Sequence, residues 1–408
     1  MNKKLLSLAV AAAMVTPIAA NADVRVSGVI QAEVASLEVA DGNEKLNASL
    51  RNGAFEDMDR QTLTNDSLGS ILNEGPNHIQ FDIDEKLGGG VSGQARYTMG
   101  FNTSGNFGFS PIGEEAWVGL GAAHFHVRYG TLTGAYKSSH TLVDPLAFTS
   151  LQTRGTGGGM SGENFNRLIR DAAGNVTGIN VNSWENQNGL TNEGFVEGAL
   201  ELGVNYSGFS ATLQGIVDDT SAMDGAGLFE LRYTAPGDFF TMWLAGAYQD
   251  VSETTDRVGE DIADIVRDDE EKKNLKDDDF ANWKIGGAFN LGPMVTLGLQ
   301  YEDSEIGNLD NDLNTSGGKY ILGSLKVTPV QNISIAGWVA GYLSDIDDMQ
   351  RMIDSKGDPI DEDALSWAVA AKYHFSTRTM LYTGYRQTDS DNDFRDENII
   401  TLGLRHTF

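Results

Sequence analysis

Apolar and polar residues alternate with a period of two along most of this chain. In one early segment Val24, Val26 and Ile30 share one side, whereas Arg25 and Gln31 share the other. Because successive side chains of a β-strand point to opposite faces, this pattern predicts a strand with one apolar and one polar face. The same alternation predicts sixteen strands, at 23–37, 77–87, 91–101, 114–121, 124–136, 195–206, 209–218, 227–236, 239–250, 281–291, 294–303, 318–328, 332–344, 364–375, 379–388 and 398–408.

The connections between these predicted strands differ in length. Short turns lie at 88–90, 207–208 and 292–293. The longest polar loops cover 38–76, 137–194, 251–280 and 345–363. Strands of about ten residues with short turns at one end and long loops at the other are typical of outer-membrane barrels. We therefore predict an all-β fold, a transmembrane antiparallel up-and-down β-barrel of 16 strands.

The first 22 residues have the features of a secretory signal peptide. Lys3 and Lys4 precede an apolar run at 5–15, and Ala20 and Ala22 form an A-x-A cleavage site. We expect cleavage after Ala22, an exported protein and a barrel formed by residues 23–408. The alternative, a retained membrane anchor, is disfavoured because no stop-transfer pattern follows.

Composition and charge restrict the partners. The chain of 408 residues has no cysteine and a formal net charge of −29, which excludes disulfides, thiolate metal sites and an extended nucleic-acid surface. Much of the acidity lies in late loops, since residues 251–281 hold 12 acidic and 5 basic side chains. A hydrated surface that concentrates cations explains this best, and divalent ions could link it to lipopolysaccharide phosphates. A specific receptor role for these loops is the alternative.

The carboxyl terminus carries a pattern that points to a family. Phe408, Leu404 and Leu402 lie on one face of the last predicted strand, which resembles the signal that the barrel assembly machinery reads. Residues 403–408, GLRHTF, are similar to the closing G-[LV]-R-H-x-F of Gram-negative general porins. Further resemblances to these porins lie at 87–91 (LGGGV), 117–120 (WVGL), 128–130 (RYG), 144–146 (DPL) and 373–379 (YHFSTRT). The P-E-F-G-G stretch of enterobacterial third loops is not found.

The resemblance implies a homotrimeric channel whose third loop folds inward and narrows the pore. The longest connection, 137–194, follows the fifth predicted strand and is the natural constriction. Its candidate acidic residues are Asp144, Glu163, Asp171 and Glu185, although each of them could instead face bulk water.

Basic residues are expected on the barrel wall opposite that loop, where the family places a basic ladder. By strand alternation Arg25, Arg96, Arg128 and Arg405 point to the lumen, because their neighbours on the other face are apolar. A charge on the lipid face near the midplane would cost about 2–4 kcal/mol, which favours this lumenal placement.

No metal, cofactor or catalytic group is predicted. His124 and His126 share a face, but no third ligand is placed beside them, and Ser138, Ser139 and His140 are merely adjacent in a loop. We expect a passive, cation-preferring outer-membrane porin for ions and small hydrophilic solutes. A substrate-selective porin is one alternative. A non-conducting barrel that serves as adhesin, receptor or surface anchor is another, and an outer-membrane enzyme is least favoured.

Overall fold

The computed structural model describes residues 22–39, 60–64, 77–101, 103, 113–153, 167–170, 176–180, 194–217, 226–250, 279–306, 318–344, 363–390 and 397–408. The strands in these ranges are β1 (Ala22–Val39), β2 (Arg60–Thr64), β3 (His78–Gly88), β4 (Val91–Gly100), β5 (Gly113–Gly121), β6 (Phe125–Thr133), β7 (Arg167–Arg170), β8 (Val176–Asn180), β9 (Phe195–Tyr206), β10 (Phe209–Ile216), β11 (Ala226–Thr234), β12 (Phe240–Asp250), β13 (Asp279–Leu291), β14 (Val295–Ile306), β15 (Gly318–Val330), β16 (Ile333–Ser344), β17 (Ala364–His374), β18 (Thr379–Ser390) and β19 (Glu397–Thr407). One α-helix, α1 (Ala135–His140), and a 3₁₀ turn (Pro236–Asp238) also lie in these ranges.

Sixteen of these strands form one closed antiparallel barrel, and β2, β7 and β8 are additional short strands. Closure is visible at β1, which pairs with β3 through Arg25 opposite Asp82 and with β19 through Gln31 opposite Arg405. The predicted barrel of 16 strands is thereby confirmed. Among the described residues, no helix is long and apolar enough to cross a membrane.

The sequence-based prediction is wrong at the end of one strand. The predicted strand 124–136 ends at Thr133, and Ala135 and Tyr136 begin α1 instead. Alternation continues past the sheet because Leu132 and Tyr136 are both fully buried, although Tyr136 lies in a helix. Period-two patterning records burial on a face, and it does not identify the element that provides the burial.

The outer surface of the barrel is apolar, as a lipid-facing surface must be. Val26, Leu299 and Val339 are each more than half exposed and lie on the outward positions of their strands. Near the short turns, aromatic rings follow one another around the barrel, with ring centroids 4.4 Å apart for Phe209 and Tyr233. Such aromatic girdles mark the membrane interface.

The buried side chains lie inside the barrel, because the chain enters the lumen after β6. Leu146 and Leu151 pack with Trp338 of β16 in one apolar cluster, and Tyr136 packs with Leu228 of β11 in another. Residues 134–153, which we call the inward segment, supply the lumenal half of this core. The inward-folded third loop is therefore confirmed.

Candidate functional site

The inward segment is attached to one side of the barrel lumen. At its beginning, the Ala135 N–H donates to Gln214 Oε1 of β10 at 2.7 Å, and Ser138 Oγ donates to Glu230 Oε2 of β11 at 2.6 Å. Later hydrogen bonds reach β14–β19 and β1. We call the inner faces of β10–β19, together with Gln31 and Glu33 of β1, the covered wall.

Side chains of the covered wall donate to backbone carbonyls of the inward segment. A loop that enters a lumen must satisfy these carbonyls, since buried polar groups without partners are costly. The donors are Ser324 to Val143 O, Lys372 to Pro145 O, Arg405 to Phe148 O, Arg386 to Ser150 O and Trp338 to Leu151 O. Five successive strands, β15–β19, therefore hold the segment by its main chain.

One buried carboxylate joins the segment to the seam of the barrel. Glu33 is 2% exposed, and its Oε1 accepts the N–H of Ser150 at 3.1 Å and the hydroxyl of Ser150 at 2.6 Å. Thr401 of β19 donates to the same oxygen at 2.6 Å, and Tyr382 of β18 donates to Oε2 at 2.9 Å. The carboxylate thus holds three strands and the loop together.

Asp144 is a structural residue of the segment rather than part of its lumenal surface. It is 3% exposed; its Oδ1 accepts the Leu146 N–H at 2.8 Å, and its Oδ2 accepts the Thr153 N–H at 2.8 Å. Gln300 contacts His140 at 2.9 Å, and His140 contacts the Thr153 hydroxyl at 2.6 Å. The other three acidic candidates, Glu163, Asp171 and Glu185, lie outside the described residues.

The opposite side of the lumen carries charged side chains that stay partly exposed. We call the inner faces of β3–β6 and β9, together with Arg25 of β1, the open wall. Arg96 donates to Asp82 at 2.7 Å and to Glu115 at 2.9 Å. Arg128 donates to Glu201 at 3.2 Å, and His126 contacts the same oxygen at 2.8 Å.

Trp117 of β5 organises the two arginines of this wall. Its ring lies 4.3 Å from the guanidinium carbon of Arg128 and 5.7 Å from that of Arg96, and it is 8% exposed. A guanidinium over an indole face gains about 0.5–2 kcal/mol, so the ring fixes both arginines against the wall. The two arginines and their three carboxylate partners thus form a ladder of paired charges on this wall.

Comparison with known proteins agrees with this architecture. A sequence model of the Gram-negative porin family matches residues 9–393. The chain belongs to that family. No curated protein sequence matches it significantly.

Solved structures resemble this porin along nearly its whole length. An anion-selective porin from Comamonas acidovorans has a TM-score of 0.62 at 13% identity, covering 95% of this chain and 100% of that one. OmpT of Vibrio cholerae in its trimer form has a TM-score of 0.57 at 11% identity, with 95% and 99% covered. The outer membrane channel DcaP of Acinetobacter baumannii has a TM-score of 0.51 at 11% identity, with 95% and 98% covered. At these identities the likeness concerns the fold.

The four arginines that the sequence analysis selected occupy three different settings in this porin. Arg96 and Arg128 lie together on the open wall, with side chains 31% and 28% exposed. Arg25 is exposed on β1, opposite Asp82. Arg405 is bound to Gln31 Oε1 at 2.6 Å and to Phe148 O at 2.6 Å, so it holds the inward segment. Alternation could not separate these settings, because all four residues face inward.

The acidic half of the ladder was only partly visible in the sequence. Asp82, Glu115 and Glu201 become pore-wall residues because the strand register sets them beside Arg96 and Arg128. Trp117 gave one usable signal, since it lies on the polar face of β5 among the small residues Gly119 and Gly121. A large aromatic residue on the lumenal face of a wide barrel needs a side chain to pack against, which here is supplied by the two arginines.

The terminal residue closes the porin at its short-turn end. Phe408 and Gly28 exchange two backbone hydrogen bonds, at 3.2 Å and 3.1 Å. The Phe408 ring also packs on Gly28, where a Cβ atom would lie 2.6 Å from Cζ. The described residues include no group of three or more acidic or histidine side chains that could bind a metal.

Proposed function

We propose that this protein is a passive outer-membrane porin that admits ions and small hydrophilic solutes. The observation that carries the proposal is the open wall, where Asp82, Arg96 and Arg128 face the lumen yet keep 27%, 31% and 28% of their side-chain surface accessible. A packed or plugged lumen would bury such charges at high cost. A water-filled passage between this wall and the inward segment accounts for their exposure.

We further propose a preference for cations. Each arginine of the ladder has a carboxylate partner, so the ladder adds little net positive charge to the passage. The loops at the long-loop end are strongly acidic, with 8 acidic and 2 basic residues at 345–363 in addition to the 251–281 cluster. Such a mouth concentrates cations at low salt, and screening beyond about 10 Å at 0.1 M weakens this effect as salt rises.

Several features of assembly belong to the same proposal. We infer cleavage after Ala22, recognition of the strand ending in Phe408 by the barrel assembly machinery, and contact with outer-membrane lipid and lipopolysaccharide. A homotrimer is supported by the family and by the trimer form of the similar Vibrio cholerae protein. We assign the protein no catalytic activity and no cofactor.

Recording in planar bilayers tests the function. The purified protein should conduct in discrete steps, and a gradient of dilute KCl should give a reversal potential of the sign expected for cation preference. Stable insertion without conductance would refute the channel and favour the alternative, a non-conducting barrel that acts as adhesin, receptor or surface anchor through its acidic loops. Anion preference in dilute KCl would refute the proposed role of the acidic mouth but leave the channel itself standing.

A further inference from the structure

A group of cationic residues lies on the covered wall, between the inward segment and the short turns. Ser324 of β15 holds Val143, and Lys326 lies two residues closer to the turn on the same face. Lys372 of β17 holds Pro145, and His374 lies two residues beyond it. Both strands therefore carry basic side chains between the inward segment and the short turns.

The strand register brings these residues together over a floor of small side chains. Lys326 pairs with Ala336 of β16, and Lys372 pairs with Ser334 of the same strand. Only an alanine and a serine thus separate the two lysines on the inner face. The Ser334 hydroxyl lies 3.1 Å from His374 Nε2, which places two further polar groups at the same spot.

The charges of this group are not balanced by the groups that face it. Lys372 interacts electrostatically with Lys326 and Arg405, and the acidic residue that acts on it is Asp144. The Asp144 oxygens already accept hydrogen bonds from Leu146 and Thr153. Inward positions on the short-turn side of β13–β19 hold no carboxylate in the described part of the chain. The open wall, in contrast, pairs each ladder arginine with an acid.

The Lys326 ammonium has no hydrogen-bond donor committed to another described residue. It is exposed, and the described residues offer it no hydrogen bond or ion pair. The Lys372 ammonium has three donors, of which the described contacts use one, on Pro145 O. Two ammonium groups with free donors suit an anion that has several oxygens and more than one charge.

We propose that Lys326 and Lys372, with His374 and Ser334, form an oxyanion-binding subsite on the short-turn side of the inward segment. Its ligands are inorganic phosphate and small solutes that carry a phosphate group. The subsite rests on the proposed channel, through which such a solute reaches it, and it lies at the end of the lumen away from the acidic loops. Phosphate therefore has easier access from the short-turn side than through the acidic mouth.

Equilibrium binding tests the subsite independently of conduction. Isothermal titration of the purified full barrel with potassium phosphate at pH 7 and constant ionic strength should show saturable binding. Lys326→Gln should weaken binding about tenfold, because a charge-assisted hydrogen bond is lost, whereas Lys326→Arg should stay within about threefold of the wild type. Arg378→Gln is the matched control, since this exposed cation lies in the adjacent β17–β18 turn and should not change the affinity.

The possible results separate the subsite from the channel. Unchanged binding in Lys326→Gln, or no saturable binding by the wild type, would overturn the subsite even if the protein conducts. An equal loss in Arg378→Gln would also overturn it, because attraction by net charge alone would explain the data. Saturable binding that needs Lys326, in a protein that does not conduct, would support the subsite while refuting the channel. In oriented bilayers, phosphate added on the short-turn side should reduce the wild-type current more than the same concentration added on the long-loop side.

Discussion

The two sides of the lumen use the same kinds of residue for different purposes. On the covered wall, Arg405, Arg386 and Lys372 donate to backbone carbonyls of the inward segment and hold it in place. On the open wall, Arg96 and Arg128 pair with carboxylates and remain in contact with the lumen. The contacts of an inward-facing arginine in a porin therefore determine whether it has a structural role or a role in conduction. Its position on the strand does not distinguish the two roles.

The contrast also explains how the inward segment is held in one position inside the barrel. Seven carbonyls between Val143 and Gln152 accept from wall side chains, and Glu33 accepts from the segment in return. Each bond contributes about 1 kcal/mol net, and more where a charged group takes part. Movement of the segment would break many of them at once.

The largest effect is expected from a deletion that disturbs closure of the barrel, on which both walls depend. Deleting Phe408 loses the two backbone hydrogen bonds to Gly28 and the ring contact at the seam. We expect at least a tenfold loss of heat-modifiable protein in outer-membrane fractions, with protease-sensitive chain in the periplasm, because the chain loses both the seam contacts and the terminal aromatic residue that we infer the barrel assembly machinery reads. Phe408→Tyr keeps the ring and should assemble normally. Normal assembly of the deletion variant would contradict the role of this residue.

A change on the covered wall should weaken the fold next most strongly. Glu33→Ala leaves the buried hydroxyls of Ser150 and Tyr382 without their acceptor, whereas the Thr401 hydroxyl keeps Val34 O at 3.2 Å. We expect a loss of about 3 kcal/mol in the free energy of unfolding, measured by urea titration in lipid vesicles, and noisier single-channel currents. Arg25→Gln on the open wall is the control and should change stability by less than about 0.5 kcal/mol. Equal effects of the two variants would remove the distinction between the walls.

A change on the open wall should alter selectivity more than stability. Replacing both Arg96 and Arg128 with glutamine leaves the carboxylates of Asp82, Glu115 and Glu201 without counter-charges. We expect the cation-to-anion permeability ratio to rise about two- to threefold at every salt concentration, because charges at a narrow passage are poorly screened. Reversal potentials in dilute and concentrated KCl measure this change. A shift confined to dilute KCl would show that the ladder lies too far from the ion path.

The smallest effect should come from the acidic loop at 251–280, which lies almost wholly outside the described residues. Neutralising its carboxylates should lower cation preference in dilute KCl only, because screening removes the influence of exposed charges at high salt. Reversal potentials at 0.01 M and 1 M KCl, where the Debye length is about 30 Å and 3 Å, compare the two regimes. Neutralising the carboxylates of the 345–363 loop instead should also lower cation preference in dilute KCl, but by a smaller amount. A loss of preference at both concentrations would place these acids near the constriction.

Strand positions could be predicted from the sequence, and most side-chain roles inside the barrel could not. Val24, Val26 and Ile30 lie on the outward face that alternation predicts, since lipid and water impose a simple period. The division between Arg128 and Arg405 depends on where the inward segment lies, and this depends on contacts between residues more than 200 positions apart. Asp144 is a different case, because its acidity suggested a pore-facing role, whereas its oxygens accept hydrogen bonds from Leu146 and Thr153 within the same loop.

Thiol accessibility tests the division into two walls most directly, because the natural chain has no cysteine. Gln94→Cys places a thiol on the open wall beside Arg96, and Ala368→Cys places one on the covered wall, in the cluster around Leu151. A small cationic methanethiosulfonate reagent should react rapidly with the first variant and reduce its single-channel current. The second should react at least a hundredfold more slowly, because local opening of packed structure costs several kcal/mol. Comparable reaction rates at the two positions would contradict the account.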